Sequence, residues 1–265
     1  MIHLVIPDPH AHPDFSNKRF ELLGKLIVDI KPDKVICLGD FADMPSLCFY
    51  DKGTAGFEGR RYKDDVLSTI DAQEKMMMPI RKAKKRKPKM YMLEGNHEHR
   101  INRAISTDAT KLDGVISLDD LRYKKFGWEF IPYRGSTPGI KVIDGIAYAH
   151  YHTSGVMGRA ISGEHPAYSL LNKQYQSCTS GHLHTLDYAT RTRADGKRIQ
   201  GLMAGVFSDY FADFAGEAND LEILGLDAHT ILDMFWDKVR DSPELFSDVL
   251  TKLDYEKESY NNEWT

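Results

Sequence analysis

Five times along this chain a stretch of strand length, apolar in four of the five, ends in a cluster of Gly, Asp, Asn or His. His3 to Ile6 breaks into Pro7-Asp8-Pro9-His10, Lys34 to Leu38 into Gly39-Asp40, and Lys89 to Leu93, through Glu94, into Gly95-Asn96-His97-Glu98. Later, Ile146 to Ala149 ends at His150, and Ser177 to Ser180 ends at Gly181-His182-Leu183-His184. Ligands of open α/β sheets sit beyond the carboxyl ends of strands, so this repetition constrains the fold to gather its polar clusters around one site. Taken singly, each cluster reads as turn chemistry or a helix cap. Together they offer oxygen and nitrogen donors and no sulfur, a set that suits manganese, iron, zinc or nickel. Residues i and i+2 of a strand point to one side, which predicts that Asp8 converges with His10, and His182 with His184. The donors suffice for two ions, the arrangement that clamps in-line displacement at phosphorus.

The first half alternates strand and helix. Apolar residues at helical spacing, Phe20, Leu23, Leu26, Ile27 and Ile30, predict a helix over Phe15–Ile30 that Pro32 stops. A long helix is predicted over Asp64–Lys87, acidic at its start and basic at its end as the helix dipole favours. Another is expected over Glu98–Ser106. Strand–helix–strand units of this kind make a parallel sheet. The segment 45–63, with Gly53, Gly56 and Gly59, reads as a loop insertion beside the site. The second half is richer in strands: Trp128–Pro132, Ile140–Ile143, and a hairpin of Leu186–Arg193 with Arg198–Met203 around Asp195-Gly196. Ser154 to Gly163 is small and flexible in composition, and Pro166–Gln176 reads as a helix. From Asp213 to Thr265 there are fourteen Asp and Glu against four Lys and Arg. That stretch is expected to be an acidic helical extension, with helices over Ile231–Val239 and Pro243–Leu253, packed on the 1–212 domain or on a second copy.

The formal charge of −4 exerts no general pull toward nucleic acid or an anionic surface. A run of seven basic residues in nine, Arg81 to Lys89, reads as the solvated end of a helix, far from the strand ends that carry the site. Met76-Met77-Met78 reads as core filling. The three cysteines, Cys37, Cys48 and Cys178, form no CxxC and suit a reducing compartment. Met1 to Ile6 is too short for a signal peptide, and no apolar run approaches the ~20 residues that span a bilayer. The expectation is a cytoplasmic protein with no membrane partner, a homodimer being compatible with the sequence.

Asp-x-His, Gly-Asp, Gly-Asn-His-Glu, a lone His and Gly-His-x-His, in that order between Met1 and Phe211, resemble the calcineurin-like metallophosphoesterases. The resemblance implies an α/β fold of the four-layer α/β/β/α sandwich type. It implies that Asp8, His10, Asp40 and His184 hold one divalent ion, and Asp40, Asn96, His150 and His182 a second, with Asp40 bridging. Two Mn2+ ions are expected, with Fe, Zn or Ni as alternatives. A hydroxide between the ions would attack phosphorus in line, and His97 would protonate the leaving oxygen or stabilise the phosphoryl oxygens. Gly39-Asp40-Phe41-Ala42-Asp43 also resembles the Gly-Asp-x-x-Asp of the Ser/Thr protein phosphatase branch, which makes Asp43 the candidate partner of His97. Arg100, the arginine nearest the site, is the candidate phosphate clamp. His12 and His152, beside the motifs, complete the candidate substrate-binding set.

Two departures bear on substrate. The protein phosphatase branch carries a phosphate-gripping Arg after the second Asp and another before Gly-Asn-His-Glu; here those positions are Met44 and Glu94, the latter a negative charge expected close to where an anion must bind. Protein phosphatase activity is not expected. The compact chain resembles bacterial and phage-encoded members that act on phosphodiesters, nucleic acids or nucleotides, which would place it in bacterial or phage-host cytoplasm. The alternatives are a phosphomonoesterase on small phosphorylated molecules and a non-catalytic scaffold of the same fold.

Overall fold

The computed structural model describes residues 1–84 and 86–208. The acidic extension expected over 213–265, with its two helices, lies outside the described residues.

Strands β1 (His3–Ile6), β2 (Lys34–Cys37), β3 (Lys89–Leu93) and β4 (Trp128–Ile131) form a parallel sheet in that order. Their crossovers carry α1 (Lys18–Ile30), α2 (Tyr62–Lys82) and, before β4, α3 (His99–Thr107), α4 (Ala109–Leu112) and α5 (Tyr123–Phe126). Strands β5 (Lys141–Ile143), β6 (Ile146–Ala149), β9 (Ser177–Ser180), β10 (Leu186–Thr192) and β11 (Arg198–Ala204) form a second sheet in the order β10-β11-β9-β6-β5. Within it β6, β9 and β11 run parallel, while β5 and β10 are antiparallel edge strands. A two-stranded hairpin, β7 (Thr153–Ser154) with β8 (Arg159–Ala160), and the helix α6 (Pro166–Gln174) lie between β6 and β9 in sequence.

Period-two alternation divides each central strand between two apolar clusters. Val35, Cys37, Met90 and Met92 pack with Phe20, Leu23 and Ile27 of α1 and Met76, Met77 and Ile80 of α2. Their neighbours Ile36, Leu38, Tyr91 and Leu93 pack with Ile143, Tyr148 and Ala149 of the second sheet. Ala147, Cys178 and Met203 pack with Ala167 and Leu170 of α6. Helices α1 and α2 approach closely at Gly24, where a Cβ would lie 2.2 Å from the Met76 carbonyl oxygen. The fold is α/β, as the strand–helix pattern indicated.

Several expected bounds move. Helix α1 starts at Lys18, because Phe15 belongs to a turn and packs on His12. Helix α2 ends at Lys82, so the rest of the basic run belongs to the connection into β3, where Lys84 is left-handed. Helix α6 ends two residues early, at the left-handed Tyr175. The segment 45–63 contains short 3-10 turns at Pro45–Leu47 and Ala55–Phe57, and its last residues already belong to α2. Ser154–Gly163, expected to be irregular, carries most of the β7–β8 hairpin. Of the three consecutive methionines, Met76 and Met77 are core and Met78 is exposed.

Candidate metal centre

The polar clusters meet just past the carboxyl ends of β1, β2, β3, β6 and β9. They do so in turns and not as continued strand: Asp8, His10, Asp40, His182 and His184 all have φ between 41° and 71°. That left-handed conformation costs a side-chain-bearing residue about 1–3 kcal/mol and persists here because long-range contacts enforce it. His10 N donates to Asp40 O at 2.9 Å, and Ala11 N to Phe41 O at 2.7 Å. Gly95 and Gly181 make the convergence possible. A Cβ on Gly95 would lie 2.1 Å from Asp40 Oδ1, and one on Gly181 2.2 Å from Asp8 Oδ2.

Two buried ionisable residues outside the donor set, Glu98 and Arg19, hold these turns. Glu98 Oε2 accepts from Asp40 N at 2.9 Å and Gly95 N at 3.0 Å, and its Oε1 accepts from Ala42 N and Tyr123 Oη, both at 2.9 Å. One carboxylate thus joins the turns after β2 and β3. Burial, with Asp40 adding to it, lifts the Glu98 pKa to about 7. The Arg19 guanidinium donates from Nη2 to Pro9 O at 2.6 Å and His10 O at 3.0 Å, fixing the backbone that carries Asp8 and His10. Glu98 was signalled by its place in Gly-Asn-His-Glu. Arg19 carried no signal, because it lies in an ordinary amphipathic helix.

Asp8, His10 and His184 place one donor atom each within 4.8 Å of one another, as do Asp40, His150 and His182, and likewise His10, Asp43 and His97. Asn96 joins the second group, its Oδ1 2.8 Å from His150 Nε2. The expectation that His182 converges with His184 is corrected: the two divide between groups, because strand alternation does not govern residues at φ 71° and 60°. Asp8 and His10 do converge. Asp40 falls with His150 and His182.

The donor set fits divalent cations. His10 Nε2 lies 3.1 Å from His184 Nε2, and two imidazole nitrogens at right angles on one cation, each about 2.1 Å away, lie about 3.0 Å apart. Burial, helped by the neighbouring His150 and His10 respectively, lowers His182 to about 4 and His184 to about 3, so both rings present lone pairs. Burial also opposes charge on His150, but Asp40 and Asp8 outweigh it and push the pKa up to about 9. Both ring nitrogens of His150 face acceptors, Leu38 O at 3.1 Å and Asn96 Oδ1 at 2.8 Å, with Asp40 Oδ2 3.3 Å from Nε2. Protons and a divalent cation therefore compete for this ring. Burial alone would lift Asp40, yet His150 and His97 hold it well below the usual carboxylate range. Asp8, lifted by burial against the pull of His150, stands at about 6.

His97 is 4% exposed. Its Nδ1 lies 2.8 Å from Asp43 Oδ1 and 2.7 Å from Asp43 O. Both are acceptors, so Nδ1 carries the hydrogen, and Nε2 is left toward the centre, 3.8 Å from Asp40 Oδ2. Arg100 stands against this ring: Nη2 is 3.1 Å from His97 Nε2, and Nη1 donates to Asp43 O and Met44 O. His12 borders the same carboxylate, with Nε2 3.9 Å from Asp43 Oδ2. His152 is interior, bonded through Nδ1 to Ser180 Oγ at 2.8 Å, and links the segments that follow β6 and end β9.

Neither departure from the phosphatase pattern faces the centre as a charge. Met44 is fully buried among apolar residues. Glu94 was expected to place a negative charge near the bound anion. Instead it is 1% exposed, and its carboxylate accepts from Tyr133 N at 2.7 Å and meets His99 Nδ1 at 2.8 Å. Among the described residues no helix is long and apolar enough to cross a membrane.

The family model described as calcineurin-like phosphoesterase matches residues 3–186, which include every residue of the three groups. Among curated proteins none matches the chain.

Proposed function

The chain belongs to the calcineurin-like phosphoesterase family, and from that premise we propose that this metal-dependent phosphoesterase hydrolyses phosphodiesters of nucleotides or nucleic acid with two divalent ions, Mn2+ first among them. The observation that carries the two-ion reading is the pair of donor groups, Asp8/His10/His184 and Asp40/His150/His182. Asp40, the family's bridging position, has its Oδ1 held by His97 N at 2.8 Å and its Oδ2 beside His150. When bound, divalent ions lower the pKa of water to give a nucleophile and neutralise phosphoryl oxygens.

The residues of the chain supply the remainder. Asp43 keeps hydrogen on His97 Nδ1, so that Nε2 gains or loses the proton that goes to the leaving oxygen. Arg100 steadies the carbonyls of Asp43 and Met44 and presents its guanidinium edge beside Nε2. The diester preference rests on charge. Met44 and Glu94 supply no cation where the phosphatase branch has two, and a diester brings one negative charge where a monoester dianion brings two.

The test is kcat/KM with Mn2+ on bis(p-nitrophenyl) phosphate against p-nitrophenyl phosphate, followed by 2′,3′- and 3′,5′-cyclic nucleotides and single- and double-stranded DNA and RNA. Higher efficiency on the diester is expected. A clear monoester preference, or robust phosphoprotein turnover, reverses the ranking.

A further inference from the structure

The buried Glu94 carboxylate begins a chain of aromatic contacts that ends on the metal centre. It binds Tyr133 N and His99 Nδ1 at 2.7 and 2.8 Å. The His99 ring stacks on the Tyr133 ring, with centroids 4.1 Å apart and planes 14° apart. Tyr133 meets Tyr151 edge-on at 6.5 Å, with their hydroxyl oxygens 3.5 Å apart. Tyr151 lies over His182 at 4.7 Å and beside His150 at 5.6 Å. Core tyrosines of this protein are almost wholly covered, Tyr148 at 2% and Tyr123 at 4% exposed. Tyr133 and Tyr151 are only partly covered, although both stand next to the most buried polar groups in the fold.

We propose that Tyr133 and Tyr151 form a specificity wall that receives a planar ring carried on an ester oxygen of the substrate, a nucleobase or an aryl group, beside the Asp40/His150/His182 position. Aromatic side chains stack on any such ring, with little dependence on its substituents. Glu94 and His99 hold Tyr133 in place before the ligand arrives, so little rotamer entropy is lost on binding. The position that grips phosphate in the protein phosphatase branch thus anchors recognition of what the phosphate is attached to. This assignment rests on the phosphodiesterase reading and adds the part of the substrate that is recognised.

The experiment uses the full-length Mn2+-loaded protein and two competitive inhibitors of bis(p-nitrophenyl) phosphate hydrolysis that share a phosphate and differ in the ring, thymidine 5′-monophosphate and methyl phosphate. For Tyr151→Ala and Tyr133→Ala the Ki of the thymidine ligand is expected to rise about tenfold, and that of methyl phosphate by less than twofold. Tyr151→Leu, which keeps the apolar bulk without the ring, is expected to act in the same direction and serves where the alanine variant folds poorly. Equal shifts of both inhibitors, or no shift of either, overturn the wall and leave the phosphodiesterase reading standing. A wild type that hydrolyses no phosphate ester overturns the phosphodiesterase reading, and the wall with it.

Discussion

Arg100 Nη2 lies 3.1 Å from Nε2 of His97, on the ring whose other nitrogen is held by Asp43. The imidazole is gripped at both ends, by an acceptor that fixes the Nδ1 hydrogen and by a guanidinium donor at Nε2. His97, Asp43 and Arg100 therefore form one bonded unit, with Arg100 held by the Asp43 and Met44 carbonyls as well as by the ring.

His97→Ala is expected to retain both metals and to lose roughly 10²–10⁴-fold in kcat/KM on nucleotide diesters, the usual worth of proton transfer. The loss should be smaller on p-nitrophenyl esters, whose leaving group departs without a proton. Rates at saturating Mn2+, with metal content measured on the same samples, check this. Equal losses on both esters would make His97 a stabiliser of the phosphoryl oxygens.

Arg100→Met is expected to cost about tenfold to a hundredfold in kcat/KM, because the Asp43–Met44 carbonyls lose their donor and the ring loses its alignment. On the His97→Ala background the same substitution should cost less than about threefold, since residues that act as a unit are not additive. A double-mutant cycle on one diester measures both. Full additivity would make Arg100 an independent phosphate clamp.

Two ions per chain are expected by elemental analysis of the reconstituted wild type, and fewer in Asp40→Asn if the carboxylate bridges. Arg19→Met strips the donor from Pro9 O and His10 O. It is expected to weaken the Asp8/His10/His184 position about 10–100-fold while the Asp40/His150/His182 position keeps its ion. Mn2+ titration followed by electron paramagnetic resonance separates one bound ion from a coupled pair. Equal weakening of both positions would make Arg19 a residue of the general fold.

Asp65 is fully buried on α2, where it accepts from Ser46 N at 3.1 Å and Oγ at 2.5 Å. Burial raises its pKa from 3.8 to about 7. Between those values the unfolded chain has lost the proton that the folded one keeps, so this group's contribution to stability falls as pH rises from about 4 to about 7 and is then flat. The slope approaches 1.4 kcal/mol per pH unit at most. Asp65→Asn keeps an acceptor for Ser46 and removes the titration. Urea unfolding at several pH values should show the stability difference drifting against wild type across that window. A constant difference would place the Asp65 pKa near its ordinary value.

The sequence alone determined which residues are candidates for the site and roughly where the chain carries them. Strands β1, β3 and β6 begin and end where the apolar runs do, because a buried strand is written in consecutive side chains. The donors Asp8, His10, Asp40, Asn96, His97, His150, His182 and His184 announce themselves as polar clusters at the ends of those runs. Local spacing could not tell which donors come together; tertiary structure groups Asp8 with His10 and His184, and Asp40 with His150 and His182. His182 and His184 part company because their left-handed φ values are imposed from outside the segment, by Asp8 accepting from His182 N and by the closeness that Gly181 permits. The same holds for the helix ends, where one left-handed residue stops α6 while the apolar periodicity runs on. The buried charges were equally illegible. Glu94 looked like a repulsive neighbour of the phosphate until its partners, Tyr133 N and the His99 ring, came within 2.8 Å. Arg19 carries no local mark of its burial; only the turn after β1, folded over it, supplies the carbonyls its guanidinium bonds. A residue's type and local spacing lie in the sequence, but the free energy of a buried charge is set by the groups that desolvate and bond it, and most of these come from other segments.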